Sequence, residues 1–171
     1  MKFRDIPEID YGSYMVEVSL RYLPVQMDDF VKDRKLNIVP DFQRGHIWTE
    51  EQQIKFVEFV LHGGESGLDI YFNHPGWNTG GDQDFVLVDG LQRITACLRF
   101  LQDEIPAFGL KRSQFEDDLS YHRGRLRFHV NTLKTRAEVL DWYLAMNSGG
   151  TIHSPEEIER VRNLRKAEEI S

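Results

Sequence analysis

The stretch Asp84-Phe85-Val86-Leu87-Val88-Asp89-Gly90-Leu91-Gln92-Arg93-Ile94-Thr95-Ala96 changes its hydrophobic period midway, and that change limits what the chain can become. Phe85 to Val88 is a short apolar run of β-favouring residues, suited to a buried strand. Beyond it, Ile94, Cys97, Leu98 and Leu101 recur at helical spacing, with Thr95, Arg99, Gln102 and Asp103 on the opposite face. Between the two periods lies Asp89-Gly90-Leu91-Gln92-Arg93, where the missing Cβ of Gly90 lets backbone turn tightly or approach a ligand. The turn opens a helix, whose first amides and partial positive charge favour anions. Arg93 adds a fork of donors suited to phosphate. On these residues alone, an ordinary strand-to-helix connection with a solvated Arg93 explains the stretch equally well.

The chain has 171 residues, 40% of them hydrophobic, which argues for one core and one domain over 1–171 and against disorder. Its single cysteine, Cys97, falls on the apolar face of the central helix, so a disulfide within the chain is excluded and a reducing compartment is expected. No apolar run approaches the length of a membrane span, and Met1 to Asp5 leads into no secretory core. A soluble cytoplasmic protein without membrane partners is the expectation. A net charge of −7 disfavours indiscriminate nucleic-acid binding, yet residues 121–136 hold Arg123, Arg125, Arg127, Lys134 and Arg136 with no acid.

Residues 1–12 show no period and read as an N-terminal arm. Tyr14 to Tyr22 alternates as a half-buried strand that Pro24 ends, and Met27, Phe30 and Val31 predict a short helix to about Arg34. Leu36 to Val39, Leu68 to Phe72 and Ile105 to Phe108 read as short strands. Thr49 and Gln52 form a capping box for a helix running to about His62. Leu126, Phe128 and Val130 alternate with Arg125, Arg127 and His129, whose basic side faces either water or a polyanion such as DNA. Thr135 to Asn147 predicts a helix with Val139, Leu140, Tyr143 and Met146 inward. Residues 154–171 predict a C-terminal helix, opened by Ser154-Pro155-Glu156-Glu157, whose narrow stripe of Ile158, Val161 and Leu164 points to loose docking or to pairing with another copy. The interspersed order predicts an α+β fold, a small mixed sheet with surrounding helices.

Three loops carry groups able to grip a nucleotide: Phe42-Gln43-Arg44, Asp89 to Arg93, and Asn147-Ser148-Gly149-Gly150. Arg44 and Arg93 can neutralise phosphate oxygens, Gly90 and Gly149 let amides approach, and Asp89 can hold Mg²⁺ or a ribose hydroxyl. Together with Pro40, Trp48 and the run from Thr151 to Glu157, these motifs resemble the N-terminal domain of GmrSD-type restriction endonucleases, within the ParB/sulfiredoxin-like superfamily. The resemblance spans roughly residues 20–160. It implies a ParB/sulfiredoxin-like fold and nucleoside triphosphate binding with Mg²⁺. Asp89, Gly90, Gln92 and Arg93 match the family's Asp-Gly-Gln-Gln-Arg motif, and Leu91 departs from it. If the missing glutamine oriented water or metal, hydrolysis is weakened here; if it packed, leucine is harmless. The resemblance also makes Gln43 and Arg44 site residues and extends the site to Asn147 and Gly150.

Two functional readings stand open. In the first the chain is an NTPase in which Arg44 and Arg93 clamp the triphosphate, Asp89 holds Mg²⁺, and Gln43 or Gln92 orients the attacking water. In the second the same pocket is a switch that alters the grip on DNA or on a protein partner, with little turnover. DNA would lie on Arg125, Arg127 and His129. Restriction or phage defence, with a nuclease or other protein as partner, follows from the resemblance alone. None of the six histidines shows zincin, zinc-finger or paired His-Asn-His spacing, so DNA cleavage by this polypeptide by itself is not expected. Each residue also has a plainer role: Trp48 as a core anchor, His46 as a loop hydrogen bonder, Gln43 satisfying backbone, Asn147 capping a helix, and Cys97 packing.

Overall fold

The computed structural model describes residues 14–43, 48–79, 83–147 and 155–169. The arm over 1–12, together with Arg44, His46, Gly149 and Gly150, lies outside the described residues. In chain order the elements are β1 (Tyr14–Ser19), α1 (Leu23–Lys32), α2 (Glu50–Leu61), β2 (Asp69–Asn73), β3 (Val86–Asp89), α3 (Leu91–Leu101), β4 (Arg125–Asn131), α4 (Arg136–Asn147) and α5 (Pro155–Ala167). The strands form one sheet in the order β1-β4-β2-β3. β4 pairs antiparallel with β1 and parallel with β2, and β2 pairs antiparallel with β3, so the expected α+β architecture with a mixed sheet is what forms.

Alternation along the strands sends side chains to two different layers. On one face Val18, Ile70, Phe72, Leu87, Leu126, Phe128 and Val130 meet α1, α2 and α3 in the larger core. Phe30, Phe72, Phe85 and Phe128 pack there with ring centroids 4.9–6.0 Å apart. On the other face Val86 and Val88 meet Phe42, Val139, Leu140, Trp142 and Tyr143 in a second core, which α5 completes through Val161. α4 and α5 cover the β3 side of this face, while its β1 and β4 side stays polar.

Several boundaries move for identifiable reasons. Pro24 does not mark a gap between β1 and α1; it occupies the first turn of α1, where its missing N–H costs nothing. Leu36 to Val39 contributes a single bridge, Asn37 pairing with Val86 through Asn37 N to Phe85 O at 2.8 Å and Leu87 N to Asn37 O at 3.0 Å. Pro40 follows too soon for a longer ladder. The segment over Ile105 to Phe108 likewise reduces to one bridge between Ala107 and Leu110. Thr49 forms the expected capping box with Gln52. In α3 the inward stripe is Leu91, Ile94, Cys97 and Phe100, with Leu98 and Leu101 only half-buried, because the helix starts at Leu91 and turns its face accordingly. Among the described residues no helix is long and apolar enough to cross a membrane.

Cys97 is fully enclosed, and burial pushes its thiol up to about 12. In native protein at neutral pH this thiol should resist alkylation, and labelling should begin only on unfolding. Rapid labelling of the folded chain would contradict the packing role.

Candidate functional site

The β3–α3 turn is set by Gly90, which caps α3 at φ +114° and ψ 7° with no side-chain cap bond. A Cβ on Gly90 would lie 2.5 Å from Ile70 Cδ1 and 3.3 Å from Ile70 Cα. Glycine is therefore required twice, by the left-handed backbone and by the close approach to β2. The turn leaves the first-turn amides of α3 at the strand's carboxyl end, where an anion is favoured. Leu91 points the other way, into the larger core, so the position at which this chain departs from Asp-Gly-Gln-Gln-Arg is a packing position here. Arg93 donates to the Asp89 carboxylate one helical turn away and, at 3.4 Å, to the Gly67 carbonyl. The expected phosphate clamp and the expected metal ligand thus neutralise each other, with Arg93 mostly covered and Asp89 more open.

The first motif converges on this turn. Gln43 Nε2 donates to the carbonyls of Leu87 at 3.1 Å and Val88 at 2.9 Å, near the end of β3. Trp48 N donates to Gln92 Oε1 at 3.0 Å, and its carbonyl accepts from Gln53 Nε2 at 3.2 Å. Gln43 therefore meets the chain just before Gly90 and Trp48 just after it. Trp48 itself packs on Phe56 against the core, with ring centroids 5.4 Å apart. Gln43 and Gln92, the two expected water-orienting side chains, both hold backbone in place.

The third motif begins where α4 ends, at Asn147. The element that follows it grips the first: Arg160 of α5 donates to the carbonyls of Asp41 and, at 3.1 Å, of Phe42. Arg136 of α4 makes a two-point pair with Asp41 at 2.7 and 2.8 Å and reaches Glu168 at 3.0 Å. Phe42 packs edge-on to Tyr143 with centroids 5.3 Å apart. Of the narrow stripe of α5, Val161 is covered within the chain at 1% exposed, whereas Ile158 and Leu164 are half-buried.

The basic side of β4 is occupied by its own neighbours. Arg127 makes two bonds to Asp69, at 2.9 and 2.8 Å, His129 Nε2 lies 2.7 Å from the same carboxylate, and Arg125 pairs with Glu17 and Glu65, both at 3.2 Å. Burial alone would raise the Asp69 carboxyl, but the bonds from Arg127 and His129 outweigh it and hold the group below its ordinary range. Tyr71 stacks on His129 with centroids 4.8 Å apart and stands opposite Asp89 in the β2–β3 register, so this polar face runs into the β3–α3 turn. A polyanion at Arg125, Arg127 and His129 would first have to displace these carboxylates. Asp69 and Tyr71 went unnoticed in the sequence, although the alternation that turns Ile70 and Phe72 inward sends both to this face.

Gly90→Ala should lower stability by about 2–4 kcal/mol, the sum of left-handed strain and overpacking, read from urea unfolding. Asp69 contributes stability that is complete above the ordinary carboxyl value of 3.8 and is lost as pH falls through its lower folded value. The stability gap between wild type and Asp69→Asn should therefore hold steady above about pH 5 and shrink as pH falls below about pH 4. A gap independent of pH would contradict the assigned ion pair.

No curated protein sequence matches the chain. Among solved structures it is similar to the C-terminally truncated chromosome-partitioning protein ParB from Caulobacter crescentus, complexed with CTP-γ-S, at 17% identity and a TM-score of 0.43. The alignment covers 82% of this chain and 56% of that one, so the chain spans little more than half of that protein's length. The family model for the N-terminal domain of the GmrSD restriction endonuclease matches residues 27–132. With well over half of its length matched, the chain belongs to the family of GmrSD restriction endonuclease N-terminal domains.

Proposed function

We propose that the chain binds a nucleoside triphosphate at the β3–α3 turn, with its phosphates on the first-turn amides of α3 and its charge met by Arg93 and Arg44. The observation that carries this reading is the convergence of the first motif on the turn, Gln43 bonding to Leu87 and Val88 just before Gly90 and Trp48 to Gln92 just after it. A left-handed glycine, a helix start and a guanidinium then share one small region. The family resemblance adds Asn147 and Gly150 to this site, Gly150 lying outside the described residues. Asp89 is one carboxylate, and no group of three or more metal-ligating side chains occurs among the described residues, which fits Mg²⁺ arriving with the phosphates rather than in a protein cage. The ion would supply charge neutralisation on those phosphates. Entry of the triphosphate exchanges the Asp89–Arg93 pair: phosphate oxygens take the guanidinium and release the carboxylate.

Between turnover and switching, the geometry favours switching. Gln43 and Gln92 are bonded to backbone, and Arg93 is braced by Asp89 and the Gly67 carbonyl, so the expected catalytic side chains have structural duties. In this reading the domain reports bound nucleotide to a DNA-processing partner, in keeping with the restriction systems for which its family is named. Oligomerisation through α5 would have to use the half-buried Ile158 and Leu164, since Val161 is already covered within the chain.

The ligand-induced shift in Tm tests the site. A triphosphate with Mg²⁺ at about a hundredfold over Kd should raise the wild-type Tm by roughly 5–10 °C, and the shift should vanish in Arg93→Ala. Stabilisation without phosphate release supports the switch, whereas release abolished by the same substitution supports the NTPase. No shift in wild type with any common nucleoside triphosphate would overturn both.

A further inference from the structure

Arg160 stands on a helix whose outward face is almost wholly charged, yet its guanidinium turns inward onto backbone. Its fork bridges the carbonyls of Asp41 and Phe42 and lies 3.5 Å from that of Gln43. Neighbouring carbonyls face one side in a tight turn, and here Gln43 N donates to Pro40 O at 2.9 Å, closing it. Arg160 fills the open side of that turn while Arg136 holds its Asp41 carboxylate and Tyr143 its Phe42 ring. The turn's last residue, Gln43, is the one that reaches β3 and precedes segment 44–47.

We infer that Arg160 is a positioning residue for the nucleotide site, fixing the Pro40–Gln43 turn from α5 so that Gln43 keeps its hold on β3 just before Gly90. The inference rests on the nucleotide reading above. Linkage then runs both ways: nucleotide bound at the turn strengthens the seating of α5, and loosening α5 weakens nucleotide binding by the same factor. A DNA-processing partner that pulled on α5 would thereby read or reset the nucleotide state.

The test uses the full chain with Arg160→Ala and Arg160→Lys. Without nucleotide, amide hydrogen exchange at residues 41–43 and 48 should accelerate in Arg160→Ala while β2 and β4 keep their protection. Arg160→Lys, which keeps the charge but loses the fork, should restore part of it. With the four common ribonucleoside triphosphates and Mg²⁺ as probes, Arg160→Ala should weaken binding about tenfold, an ordinary coupling between sites, and Arg160→Lys should recover part of the loss. Nucleotide should in turn slow exchange in α5 of wild type. Unchanged exchange at residues 41–43 and 48 in Arg160→Ala would overturn the positioning role. Faster exchange with undiminished affinity would overturn the coupling. A wild type that binds none of the four contradicts the nucleotide reading and the coupling with it, and the exchange experiment still decides whether Arg160 positions the first motif.

Discussion

The contact between Gly90 and Ile70 governs the layout of everything near the candidate site. Because no side chain separates them, β3 can end, reverse its backbone and enter α3 while still lying against β2. That closeness aims α3 so that Leu91, Ile94, Cys97 and Phe100 enter the larger core and Arg93 falls back on Asp89 and Gly67. A methyl group there would push β3 off the sheet edge on which Asn37 and Gln43 depend. Local backbone geometry, core packing and the approach of the first motif are one constraint seen at three scales.

A second theme is how the chain distributes its charge. With 28 acidic and 21 basic residues it has more than enough carboxylate to meet every cation, and at the site it uses it so. Arg93 meets Asp89, Arg127 meets Asp69, and Arg136 meets Asp41 and Glu168. Such half-exposed pairs contribute up to about 1 kcal/mol each, and they are also exchangeable. The proposed triphosphate would have to take over a guanidinium that a single carboxylate now holds, an exchange that such weak pairing allows.

The sequence revealed those features whose causes are local. The change of period between Phe85 and Ile94 located β3 and α3, alternation from Leu126 to Val130 located β4, and Thr49 with Gln52 located the start of α2. Leu36 to Val39 and Ile105 to Phe108 looked like strands, yet each contributes a single bridge and the second ends in a tight turn with Phe108 at φ +52°, because apolar composition specifies neither partners nor turns. The site was half visible. The residues of the second motif could be named, but not that Gly90 is demanded by Ile70, which precedes it by twenty positions. Nor could spacing show that the cations of β4 meet Asp69 across a parallel pairing that joins residues 58 apart, or that Arg160 reaches back across 118 residues to Phe42. In each case the missing information was a long-range contact, which only the assembled sheet supplies.

Amide chemical shifts followed through a titration with triphosphate and Mg²⁺ test the central claim most directly. If phosphate sits on the start of α3, the largest movements fall on the amides of Gly90, Leu91, Gln92 and Arg93, with smaller ones at Gln43 and Trp48. Movements centred on another face of the domain, or none at these amides, would contradict it.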